Sequence, residues 1–193
     1  MAGQRFPLLD GHGDPALAPE GEVQAALVAE RLATEPLTGL FITPLKRTAQ
    51  TAAPLAARLG LDPVVVPDLV EVSLGEFEGG EFRVRLSEGD PIALQAITEE
   101  SWGVLSGAET MESLAQRVRA GIEAVVAAAG PDATVAAIVH GGVIGEVCRQ
   151  ATDSRPFAFV HNDNGSLTRL VVLPGGRWLL RSFNDTAHLA SAA

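Results

Sequence analysis

The chain has 193 residues, 47% of them hydrophobic and 20% charged, with a net charge of −10. Length and composition predict one folded domain spanning 1–193, not a disordered chain, and the acidic balance argues against nucleic acid or an anionic membrane as partner. No apolar run is long enough to cross a membrane and no signal-type apolar segment stands at the start; the single cysteine, Cys148, fits a reducing cytoplasm and excludes a disulfide framework.

Residues 1–18 hold Gly3, Pro7, Gly11, Gly13 and Pro15 with no stable period and read as loop. Pro19-Glu20 opens a helix to about Thr34, with Ala25, Val28 and Leu32 on one face. Gly39-Leu40-Phe41-Ile42 is a short buried strand. Thr43 then reads as N-cap and Pro44 as first residue of a helix to Leu59, which Gly60 ends. Pro63–Val66 is a second short strand. Residues 67–108 read as an acidic, glycine-containing loop followed by one or two short helices around 80–100. Met111, Leu114, Val118, Ile122, Val125 and Ala129 mark an amphipathic helix over 110–129. Thr134–Val139 is a continuous apolar strand, as expected when both faces are covered. His140-Gly141-Gly142 turns into a helix through Cys148, where the thiol packs as a small apolar group. Residues 169–173 and 177–180 flank Pro174-Gly175-Gly176 as a hairpin. Alternating strands and helices predict a three-layer α/β/α sandwich with a mostly parallel sheet.

Lys46 and Arg47 place two cations in the first turn of a helix, against the macrodipole. An anion bound at that helix N-terminus, most simply phosphate, would compensate. Both the strand before Arg47 and the strand before His140 end in polar, helix-starting junctions. Ligands of open parallel sheets sit outside the carboxyl ends of strands, so parallel neighbours would bring Arg47 and His140 together. Arginine grips phosphate through two parallel hydrogen bonds. A neutral histidine can donate to a phosphoryl oxygen, and amides after Gly141 would point at the same place. Glu71, in the loop 68–79, could serve as general acid and then base. Taken singly, each residue has a structural reading: Arg47 a solvated helix charge, His140 a core histidine, Gly141-Gly142 close packing, Glu71 one of 24 acids. Their joint order favours the functional one.

These motifs resemble the histidine phosphatase superfamily, in its phosphoglycerate-mutase-like branch. Thr43-Pro-Leu-Lys-Arg47-Thr-Ala-Gln50-Thr51-Ala52 is similar to its phosphate-binding arginine motif. Leu69-Val-Glu71 with Gly75-Glu-Phe-Glu78-Gly79 is similar to its acid loop, and Val139-His140-Gly141-Gly142 to its second histidine motif. Leu17–Gly21, Gly107–Thr110, Asn164–Ser166 and Asn184–Leu189 match further segments in order. The resemblance implies that Arg47 and Gly141 bind substrate and that His140 and Glu71 are catalytic. It implies no metal and no cofactor, and as partner a small phosphorylated metabolite; a homodimer is left open.

Members of that family begin with a central strand running into Arg-His-Gly, whose histidine is the nucleophile. This sequence contains no Arg-His-Gly. Gly11-His12-Gly13-Asp14-Pro15 lacks the arginine and reads as the loop before Leu17, with His12 a loop residue. The expected fold is therefore the family sandwich with its first central strand missing, through a late start, a truncation or a true loss. The expected activity is phosphomonoester hydrolysis through a phosphohistidine, impaired here without the nucleophile. The alternatives are phosphoglycerate-mutase-type transfer and a non-catalytic phosphate binder.

Overall fold

A proline at a helix start, acids in its first turn and a base in its last define α1 (Pro19–Leu32). Before it, a computed structural model, which describes residues 6–192, places a hairpin of β1 (Leu8–Leu9) and β2 (His12–Gly13). This corrects the loop reading of that segment; residues 1–5 of it lie outside the described residues. Asp10 and Gly11 take φ of 47° and 84°, the positive pair that a two-residue type I′ turn requires.

The chain continues through β3 (Leu37–Ile42), α2 (Lys46–Leu59) and β4 (Val64–Val65). Next come α3 (Glu81–Ser87) and α4 (Pro91–Thr98), two short helices where the sequence predicts one or two around 80–100. Asp90 caps α4 by accepting from the amides of Ile92 and Ala93. Thr110 caps α5 (Met111–Ala129) through the Ser113 amide. Then follow β5 (Thr134–Ile138), α6 (Gly141–Thr152), and the hairpin of β6 (Leu167–Val172) and β7 (Trp178–Asp185). No helix among the described residues is long and apolar enough to cross a membrane.

β4, β3 and β5 form a parallel sheet in that order, with Phe41 opposite Val64 and Ala137, and Ile42 opposite Val65 and Ile138. The period of two sorts side chains to two faces. Leu40, Ile42 and Ala136 pack with Val28, Ala29 and Leu32 of α1 and Ala52 and Leu55 of α2. Phe41, with Val135 and Val139, packs on Leu114, Val118 and Val125 of α5 and Val143 and Val147 of α6. The result is the three-layer α/β/α sandwich.

β6 contributes to both faces, Leu167 to the first cluster and Leu170 and Val172 to the second. Among the described residues β6 pairs only with β7, and β5 only with β3. β6 and β7 form a separate two-stranded sheet, and Ala137, in the middle of β5, is exposed. A continuous sheet covered on both faces would bury that position.

On the α5–α6 side, α5 presses on the turn at Pro67–Leu69. A Cβ on Gly121 would stand 2.6 Å from Cδ2 of Leu69, itself fully buried. Gly121→Ala should destabilise the fold by about 1–2 kcal/mol, because overpacking exceeds alanine's helix advantage. Urea unfolding reads this directly; a stabilised variant would show that the turn does not press on the helix.

Candidate active site

The parallel register aligns Ile42 with Ile138, so the residues that follow leave the sheet at one end. Thr43 and His140 meet there: Thr43 Oγ1 and His140 Nε2 are 2.8 Å apart in a buried hydrogen bond whose donor depends on the tautomer. This corrects the reading of Thr43 as a helix cap. Helix α2 starts at Lys46, with Leu45 in the cap position and no side-chain cap. The Thr43 amide donates to Thr48 Oγ1 (3.2 Å), and the Thr48 hydroxyl reaches the carbonyls of Leu45 and Thr43. Two threonines thus tie off the turn and leave a hydroxyl for the histidine.

Lys46 and Arg47 do occupy a first turn that contains no acid. Part of the compensation is internal. Asp14, buried, accepts from the Lys46 amide at 2.9 Å and lies 3.6 Å from Lys46 Nζ. That anion was not foreseen. Arg47 is different: its Nη1 donates to the Gly13 carbonyl at 2.7 Å, and burial pushes its pKa down against the raising effect of Glu71, Asp14 and Glu78.

Glu71 reaches the start of α6. Its Oε1 accepts from the amides of Val72 (2.9 Å) and Gly142 (3.0 Å). The amides after Gly141 are therefore not all turned to an anion shared with Arg47 and His140, as the sequence suggested; that of Gly142 holds the acid. A Cβ at Gly142 would stand 2.7 Å from Glu71 Oε1, so only glycine permits this approach. Gly141 itself is fixed from the other side, its carbonyl accepting from Asn162 Nδ2 at 3.1 Å. Desolvation raises the pKa of Glu71, opposed by its two amide bonds and by the Arg47 and Arg117 charges.

His140 is buried, and desolvation, with the Arg47 and His12 charges behind it, lowers its pKa to about 3. At neutral pH it is an uncharged imidazole. Arg47, Glu71 and His140 are thus one electrostatic cluster at the carboxyl ends of β3 and β5. His12, read from sequence as a loop residue, sits in β2 near enough to act on His140. Its buried Nδ1 has no hydrogen-bond partner and lies 3.7 Å from Glu78 Oε1. Glu78 pins the hairpin to the acid loop, accepting from the amides of Gly13 and Leu74, each at 2.9 Å. Among the described residues no group of three or more His, Cys, Asp or Glu could hold a metal ion.

Fold and site together define an α/β protein whose polar centre lies at the strand ends of a parallel sheet. The chain belongs to the histidine phosphatase superfamily (branch 1), whose profile matches residues 3–186. A probable phosphoglycerate mutase GpmB of Yersinia enterocolitica is 29% identical over 188 residues, spanning 94% of this chain and 86% of its own. Phosphoglycerate mutase-like protein 4 of Arabidopsis thaliana is 28% identical, spanning 94% of this chain and 79% of its own. The mycobacterial glucosyl-3-phosphoglycerate phosphatase has the same fold, with a TM-score of 0.79 at 26% identity over 95% of this chain and 92% of that one. That phosphatase has also been solved with VO3 and with inorganic phosphate.

The depressed His140 pKa has a consequence for stability. The unfolded chain takes up a proton below about 6.5 that the folded chain refuses until about 3. The stability His140 contributes is complete above that upper value and is lost as pH falls. Between about pH 6.5 and pH 5 the loss amounts to roughly 2 kcal/mol. Urea unfolding at pH 7.5 and pH 5, on about that scale, should show wild type losing this much more than His140→Asn. Equal pH dependence of the two would contradict a neutral, desolvated His140.

Proposed function

We propose that this chain carries the site of a phosphomonoester hydrolase of the histidine phosphatase type, for a small phosphorylated metabolite, without the family's Arg-His-Gly nucleophile. The observation that carries the reading is the convergence of Arg47, a neutral His140 and a desolvated Glu71 at one sheet end. Arg47 would hold two phosphoryl oxygens through its planar fork. His140, uncharged, would donate a hydrogen bond to a third oxygen and stabilise charge there as the ester bond breaks. Glu71, with its raised pKa, would carry a proton to the leaving alcohol and then take one from water. Gly141, opening α6, would lend the helix N-terminus to the same anion. Binding of phosphate and VO3 by the structurally similar mycobacterial phosphatase supports an oxyanion as ligand.

The reading includes a phosphohistidine intermediate on a nucleophile that this sequence does not supply in the family's form, since Arg-His-Gly is absent from it. A second reading of the same cluster is a phosphate-binding protein without turnover. A mutase reading is the alternative that the relatives' names support.

Vanadate titration tests the reading. The wild-type chain should bind vanadate saturably, and Arg47→Ala should weaken binding at least about 10²-fold, the scale of a lost transition-state donor. Undiminished binding by Arg47→Ala would remove Arg47 from the site. Phosphorus NMR of the chain with an aryl phosphate should show no phosphohistidine; its appearance would mean that a histidine of this chain is the nucleophile.

A further inference from the structure

Arg117, on α5, is the most heavily used cation outside the anion cluster. Its Nη1 donates to the carbonyls of Asp68 (2.8 Å) and Val70 (2.7 Å). Its Nη2 donates to the carbonyl of Glu71 (3.2 Å) and to Glu109 Oε2 (2.8 Å), and its Nε to Glu109 Oε1 (2.7 Å). A guanidinium has five N–H donors in a fixed plane, and all are spent here. Three go to main-chain oxygens of a segment that has no sheet or α-helix partner for them. Two form a bidentate pair that fixes the fork's orientation. Glu109 is tied to the same loop by its own amide, which donates to the Ser73 carbonyl at 2.9 Å.

Glu71 is therefore gripped at both ends. Val72 and Gly142 amides hold its carboxylate, and Arg117 holds its carbonyl and those of two residues just before it. Removing the guanidinium would free three carbonyls in a half-buried loop, and the cheapest response is for that loop to turn toward water, carrying Glu71 out of its contact with α6. We propose that Arg117, locked by Glu109, is a positioning residue that sets the place of the Glu71 carboxyl in the site. It touches neither substrate nor reacting atoms and acts through the acid. This rests on the reading of Glu71 as the proton-transfer group. Lysine cannot replace it, because a single ammonium cannot span a carboxylate and three carbonyls in one plane.

The test uses the full chain as wild type, Arg117→Gln, Arg117→Lys and Glu109→Gln. Amide exchange is followed by NMR at Val72 and Gly142, with Leu40 and Phe41 of β3 as internal controls. The Glu71 carboxyl carbon is titrated in the same samples. In Arg117→Gln and Arg117→Lys, the Val72 and Gly142 amides should exchange about 10-fold faster or more, the scale of one lost hydrogen bond, while the β3 amides keep their rates. The Arg117 charge itself lowers the Glu71 pKa, so its loss alone would raise the midpoint; release of the carboxyl to water should instead bring it down toward the ordinary carboxylate value, and a rise would overturn the inference. Glu109→Gln, which keeps the guanidinium but loses half of its lock, should show the same pattern at smaller size, and decides the matter if Arg117→Gln does not fold. Wild-type exchange and midpoint in these variants would overturn the inference. So would equal acceleration at β3, which would make Arg117 a general stabiliser. Failure of wild type to bind vanadate would instead count against the phosphoryl reading, and the amides and titration would still decide the role of Arg117.

Discussion

The parallel pairing of β3 with β5 is the constraint on which the site depends. Residues nearly a hundred positions apart become neighbours only because Ile42 lies opposite Ile138. A slip of one residue would turn Leu40 and Ile42 toward α5 and Phe41 toward α1–α2, exchanging the contents of two cores. The register is therefore held by packing on both faces, and the hydrogen bond between Thr43 and His140 is its by-product at the strand ends. Both helices that follow, α2 and α6, then start from the same place. Their first turns deliver the Arg47 side chain and the Gly142 amide to one small volume.

Within that volume, desolvation does most of the electrostatic work. It lowers the pKa of His140, raises that of Glu71 and lowers that of Arg47, in each case favouring the neutral form. Arg47 stays charged because arginine's intrinsic pKa is so high, and because Glu71, Asp14 and Glu78 stand close. The chain is strongly acidic overall, so long-range steering would repel an anion. Attraction has to come from short contacts: a planar guanidinium, an uncharged donor and a helix end. That arrangement discriminates by geometry more than by charge.

Much of this architecture was legible in the sequence. The apolar runs around Leu40–Ile42 and Thr134–Val139 gave the parallel sheet, and the spacing from Met111 to Ala129 gave α5. The junctions after those strands pointed to Arg47 and His140. The N-terminal hairpin reads as loop in the sequence although Asp10-Gly11 is a hairpin dipeptide, because two-residue strands leave no period to detect. Thr43 looked like a cap because cap chemistry and histidine-partner chemistry use the same hydroxyl. Asp14 and Arg117 could not be found by local reasoning: each acts across more than thirty residues on backbone groups, which carry no sequence signature. The pairing of Glu71 with Gly142 was half visible, since a glycine at a helix start invites close approach but does not say from what.

A crystal structure with bound vanadate addresses the central claim most directly. The account predicts one vanadate with oxygens in hydrogen-bond contact with both the Arg47 guanidinium and the His140 imidazole, beside the first turn of α6 and the Glu71 carboxyl. Vanadate bound away from this cluster, or touching Arg47 while His140 remains engaged only with Thr43, would contradict it.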